Sequence, residues 1–114
     1  MINNEDYMAF NQYSAQLNAL SNQKNQMKMV VEELKSTNEE LRKLKDEIVF
    51  KNLGAIIIQK KKEDAISDLE KEIETLGARV ETLTKQEDLV NKKLQPLKAK
   101  LDAQVKENQA KDKK

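Results

Sequence analysis

The chain has 114 residues, with no Cys, no His, and 21 basic against 20 acidic side chains for a net charge of +1. Those absences exclude a disulfide framework, a thiol nucleophile, cysteine or histidine metal sites and the commonest general base, while the balanced charge excludes a global basic field for duplex nucleic acid. Ala, Glu, Lys, Leu and Arg account for 56 of the 114 residues and Gly and Pro for only three, which is coiled-coil composition if the apolar residues repeat every 3.5 positions. No apolar run exceeds the four residues Ala55 to Ile58, so neither a membrane span nor a secretory leader is read, and a cytoplasmic protein without cofactor or metal is expected.

The first element in chain order is a helix predicted over residues 6–47. Its apolar residues keep a seven-residue repeat at Phe10, Tyr13, Leu17, Leu20, Met27, Val31, Leu34, Leu41 and Ile48, interrupted on the seam by Lys24, Asn38 and Lys45. A repeat sustained over so many heptads predicts a left-handed coiled coil rather than an ordinary surface helix. Residues 1–26 hold ten Asn and Gln but only three charged side chains, Glu5, Asp6 and Lys24. Interspersed Tyr7, Met8, Phe10, Tyr13 and Leu17 make an apolar tip on a weakly charged surface, which suits contact with varied apolar partners.

Residues 48–60 break the helical pattern. The stretch from Ile48 to Gln59 is rich in β-branched and aromatic residues and centred on Gly54, which predicts a β-hairpin. Asn52 and Gly54 are expected to supply the turn, both as residues that tolerate positive φ. Ile56, Ile57 and Ile58 are consecutive, so a strand through them places apolar side chains on both faces. An isolated two-stranded ribbon is marginal in water and has free edges. Hairpins of several subunits are therefore expected to join into a barrel or sandwich.

Lys60, Lys61 and Lys62 are expected to close the strand, with Glu63 and Asp64 in the first turn of a second helix predicted over 63–105. Its seam runs Ile66, Leu69, Ile73, Leu76, Val80, Leu83, Glu87, Val90, Leu94, Leu97, Leu101 and Gln104, apolar at ten of twelve positions. Gly77 is a mild interruption, and Pro96 predicts a kink or local loss of helix near residues 92–96. Residues 106–114 lose the apolar period and are expected to be disordered. A short connector forces the two arms, each about 60 Å long at about 1.5 Å per residue, to pair antiparallel as one subunit. In that pairing Ile48 faces Ile66, Leu41 faces Ile73, and Lys24 and Glu87 fall in adjacent layers, either as an ion pair that fixes register or as two side chains that snorkel independently.

The order arm, hairpin, arm, together with Glu47-Ile48-Val49-Phe50-Lys51-Asn52-Leu53-Gly54, Ile56-Ile57-Ile58-Gln59-Lys60 and Asp68 to Leu76 followed by Ala78-Arg79-Val80 and Lys85-Gln86-Glu87, resembles the prefoldin beta-class subunits, especially the archaeal ones. The resemblance implies a hexameric, ATP-independent chaperone of two alpha-class and four beta-class subunits. In it, hairpins build a double β-barrel, coiled coils project from the barrel, and unfolded clients are held at the tips and passed to a group II chaperonin. By this resemblance Val49, Phe50, Leu53, Gly54, Ile56, Ile57 and Ile58 belong to the assembly hairpin. Tyr7, Met8, Phe10, Tyr13, Leu17, Leu97, Leu101 and Val105 would meet clients at the tips. The tail lysines Lys106, Lys111, Lys113 and Lys114 are candidates for docking to the chaperonin.

Two other classes compete. A coiled-coil spacer or tether meeting one specific partner explains the heptads but gives no reason for an isoleucine-rich hairpin. A nucleic-acid-binding arm needs a basic stripe with stacking aromatics, and Lys60 to Lys62 and Lys92 with Lys93 are interleaved with acids and lack such aromatics.

Overall fold

The computed structural model describes residues 4–112, with side chains described for residues 4–106. The elements are helix α1 (Asn4–Lys43), strands β1 (Ile48–Asn52) and β2 (Ile57–Lys61), and helix α2 (Lys62–Asp112). The chain divides into two compact units. Asn25–Glu81 is the hairpin unit; the parts of α1 and α2 outside it form the terminal unit.

Within each unit the two helices run antiparallel, and the heptad pattern decides what they bury. In the terminal unit Phe10, Tyr13, Leu17, Leu20 and Lys24 of α1 and Leu83, Glu87, Val90, Leu94, Leu97, Leu101 and Gln104 of α2 are all half-buried. In the hairpin unit the same holds for Met27, Leu34, Asn38 and Leu41 against Ile66, Leu69, Ile73, Leu76 and Val80, while Val31 is buried at 8% exposure. Two helices alone cover one stripe each, and among the described residues Val31 is the single hydrophobic side chain they bury completely enough to count as core.

The ends of the first arm differ from expectation. α1 stops at Lys43, not at 47, so Lys45 lies in the connector, Ile48 opens β1, and both expected seam residues are exposed rather than part of the helix. Local hydrogen bonding shows why. The Leu44 N–H turns back to the Leu41 carbonyl at 3.3 Å, tightening the last turn, and Lys62 Nζ donates to the Leu44 carbonyl at 2.7 Å, satisfying one of the acceptors that a helix end leaves open. The Lys62 N–H then donates to the Glu47 carbonyl at 2.8 Å and closes the base of the hairpin.

β1 and β2 pair antiparallel in the register Ile48↔Lys61, Val49↔Lys60, Phe50↔Gln59, Lys51↔Ile58 and Asn52↔Ile57. Lys60 and Lys61 thus belong to the strand, and Ile56 belongs to the turn. Across that turn the Leu53 N–H donates to the Ile56 carbonyl at 2.8 Å. Gly54 takes φ +95°, but Asn52 does not adopt positive φ. Its side chain contributes instead, Oδ1 accepting the Gly54 N–H at 2.9 Å in an Asx turn.

α2 begins with Glu63 and Asp64 in its first turn, where carboxylates complement the helix dipole. It is unbroken across residues 92–96, so the expected local loss of helix does not occur although Pro96 stands inside it. Pro96 cannot donate to the Lys92 carbonyl, and the turns on either side carry the helix past that gap. Residues 106–112, expected to be disordered, continue α2 to Asp112, while Lys113 and Lys114 lie outside the described residues. Charged and polar residues with good helix propensity extend a helix already nucleated by the packed part of α2.

The two glycines respond oppositely to a methyl group. A Cβ on either meets nothing within 4 Å, so only backbone preference decides. Gly54→Ala should destabilise the hairpin by about 1 kcal/mol, because positive φ disfavours L side chains. Gly77→Ala should stabilise α2 by about 0.5–1 kcal/mol. Denaturant midpoints of the two variants, moving in opposite directions from the parent, check both.

Candidate functional site

The hairpin unit presents an apolar surface that the chain does not cover. Residues paired across strands share a face, and the face changes at each step along the strand. One face therefore carries Ile48, Phe50 and Ile57 with Gln59 and Lys61; the other carries Val49, Lys51, Ile58 and Lys60. On the first face Phe50 is 71% and Ile57 66% exposed, and Leu53 and Ile56 extend it through the turn. The second face overlies a cleft of about 230 Å³ lined in part by Leu41, Val49, Ala65 and Leu69, which leaves Val49 half-buried and Ile58 partly exposed. Both strands also have an unpaired edge, since the sheet has only two. Burying one such Ile, Leu or Phe stabilises by about 1.5–3 kcal/mol, a gain the chain alone leaves unrealised on this surface.

Two ion pairs hold the frame under that surface. Lys60 Nζ on β2 meets the Asp68 carboxylate on α2, and Arg42 in the last turn of α1 meets Glu70 on α2. The Lys60 hydrogen bond holds the Asp68 carboxyl below its ordinary value, outweighing desolvation, with weaker Coulombic attraction from each of Lys60, Lys51 and Lys71.

The terminal unit places the expected tip residues in two groups. Tyr7, Met8 and Val105 are exposed at 54%, 69% and 52%. Phe10, Tyr13, Leu17, Leu97 and Leu101 are half-buried in the seam, and Lys93 Nζ lies 5.8 Å from the centroid of the Tyr13 ring, within cation–π range. Asp6 and Lys100 are 3.4 Å apart, tying the two helices near the exposed Tyr7 and Met8. The seam itself contains a polar layer: Glu87 Oε1 is 2.6 Å from Lys24 Nζ, and Glu87 Oε2 accepts the Ser21 hydroxyl at 2.6 Å. Of the tail lysines, Lys106 is exposed on α2 and the side chains of Lys111, Lys113 and Lys114 lie outside the described residues.

Sequence reasoning missed Ser21 as the third member of the polar layer. Its signal was its position three residues before Lys24, on the same helix face. Met29 at 72% and Leu89 at 60% exposure were also missed; both are apolar residues off the heptad seam, which is what marks an uncovered side chain on such a helix.

Comparisons with known proteins agree with this geometry. A family model described as prefoldin subunit matches residues 4–108. The prefoldin subunit beta of Thermococcus gammatolerans is 36% identical over 61 residues, 54% of this chain and 52% of that protein, so that match spans about half the length of the relative. The prefoldin subunit beta of Pyrococcus furiosus is 33% identical over 92 residues, 80% of this chain and 79% of that one. The crystal structure of the prefoldin beta subunit from Thermococcus strain KS-1 superposes with a TM-score of 0.79 at 29% identity, covering 90% of this chain and 94% of that one. A mainly α chain whose two helices flank one hairpin, matched over nearly its whole length by that model, belongs to the prefoldin subunit family. Within that family its relatives are beta subunits.

The sign of the Asp68 shift makes a pH prediction. A carboxyl whose folded pKa is depressed contributes stability above its unfolded pKa and loses it as pH falls through the folded value. Lys60→Met should therefore move Asp68 titration upward, toward the ordinary carboxylate range, as followed by carbon-detected NMR of the Asp68 carboxyl. An unmoved titration would show that Lys60 is not its cause.

Proposed function

We propose that the chain is a non-enzymatic holdase subunit acting in the cytoplasm. It assembles through its hairpin with alpha-class and further beta-class subunits, two alpha to four beta, and holds unfolded polypeptides at the ends of its coiled coil for transfer to a group II chaperonin. The observation that carries the reading is the exposure of Ile48, Phe50, Leu53, Ile56 and Ile57 together on one hairpin. A spacer has no use for such a surface, whereas a subunit whose hairpin enters a shared β-barrel does. Membership of the prefoldin family supports the same reading.

Capture at the tips rests on Tyr7, Met8 and Val105, with Phe10, Tyr13, Leu17, Leu97 and Leu101 behind them in the seam. Each contact is small, so holding a client requires several tips at once, and the combined strength comes from effective concentration rather than one tight site. Unfolded chains vary in sequence; a flexible Met and an amphipathic Tyr adapt to them better than a shaped pocket. Lys106 and the tail lysines are the candidate docking points for the chaperonin.

Two variants separate assembly from capture. Replacing Phe50 and Ile57 with Asp should abolish assembly with an alpha-class partner, read as mass by native mass spectrometry or sedimentation. Removing residues 1–12 and the tail after Leu101 should leave that mass, corrected for the deletion, unchanged while suppression of aggregation of a chemically unfolded test protein is lost. Undiminished suppression by the truncated chain would refute capture at the tips, and an assembled Phe50/Ile57 variant would refute the hairpin interface.

A further inference from the structure

The polar layer in the terminal unit calls for a different explanation from the tips around it. Glu87 occupies a seam position between Leu83 and Val90, where the heptad asks for an apolar residue. Its side chain is 13% exposed and that of Lys24 is 20% exposed. Both carboxylate oxygens are engaged, one by the Lys24 ammonium and the other by the Ser21 hydroxyl. A half-dry ion pair of this kind adds little net stability compared with apolar residues of the same size, so its value lies in what it forbids.

The seam on either side of the layer indicates what that is. In the hairpin unit the same track of α2 is wholly apolar, Ile66, Ile73 and Val80 alternating with Leu69 and Leu76. In the terminal unit the positions equivalent to Ile66, Ile73 and Val80 are Glu87, Leu94 and Leu101, so one charged residue interrupts an otherwise apolar track. That unit also exposes Tyr7, Met8, Leu89 and Val105. A single polar residue on the seam is a known determinant of strand number.

We propose that Ser21, Lys24 and Glu87 hold the terminal unit to two helices. In a two-helix coil the flanks of the layer stay open to water, as the 20% and 13% exposures show. If the arms of two copies merged into a four-helix bundle, the same layer would lie between four helices, and its charges would lose that remaining hydration. The layer thus keeps the ends of neighbouring copies separate and their apolar side chains available. This inference does not depend on the chaperone reading, because it concerns association of the arms whatever they bind.

The test uses the full chain carrying Ser21→Ala, Lys24→Leu and Glu87→Leu together, so that no charge is left unpaired. Sedimentation over a concentration series should show this variant at a multiple of the parent's mass, with the excess growing with concentration and with a raised melting temperature. The exchanged pair Lys24→Glu with Glu87→Lys should return the parent's mass. A triple variant that keeps the parent's mass at every concentration would overturn the proposal, as would an exchanged pair that associates like the triple variant.

Discussion

Two helices pressed together bury one stripe of each and nothing more. Heptad spacing directs the apolar residues of both helices into that stripe, yet the stripe remains open along its flanks, so that almost every seam side chain is half-buried and, among the described residues, only Val31 is buried, at 8% exposure. A two-layer globule of this length would enclose a core that stabilises it unaided. Among the described residues no further layer covers a second apolar surface. Whatever the sequence adds beyond the seam must therefore stay exposed or be covered by another molecule.

The hairpin is where that constraint becomes functional. Its strands are held in place by polar contacts at the base: the Lys62 N–H to the Glu47 carbonyl, the Lys62 ammonium to the Leu44 carbonyl, and Lys60 to Asp68. Exposed ion pairs contribute little to stability by themselves, and on the ribbon above them Phe50, Ile57 and the turn residues Leu53 and Ile56 are exposed. The apolar side chains that would ordinarily build a core are instead left exposed there. In the terminal unit the exposed large apolar side chains are fewer among the described residues, Tyr7, Met8, Leu89 and Val105, and the helix surface that bears Tyr7 and Met8 is dominated by Asn and Gln rather than by charge.

Much of this was legible residue by residue. A seven-residue period is a local property, so the seam positions Phe10 to Leu41 and Ile66 to Gln104 are legible along the chain, as are the hairpin between them and the resemblance to prefoldin beta subunits. The places that escaped reading depend on events several residues away. α1 ends at Lys43, where the Lys62 side chain from across the hairpin takes the Leu44 carbonyl, and no local pattern in residues 43–47 announces that contact. Asn52 looked like a positive-φ residue, whereas it acts through its side chain on Gly54. The helix passes Pro96 and continues to Asp112 because flanking turns and an existing nucleus outweigh a single break and a weak apolar period.

The sequence by itself determined the periodicity, and with it two antiparallel arms, one hairpin and the scarcity of chemistry-bearing side chains, because spacing and composition are written along the chain. Only the tertiary structure decided which apolar residues remain outside the seam. Tyr13 and Leu17 read the same as Tyr7 and Met8 on a list of tip residues, yet the first two are half-buried and the second two are not. The same is true of Ser21, an ordinary polar residue until a carboxylate from the other helix comes within 2.6 Å of it. Exposure and partnership are properties of two segments brought together, and neither segment carries them alone.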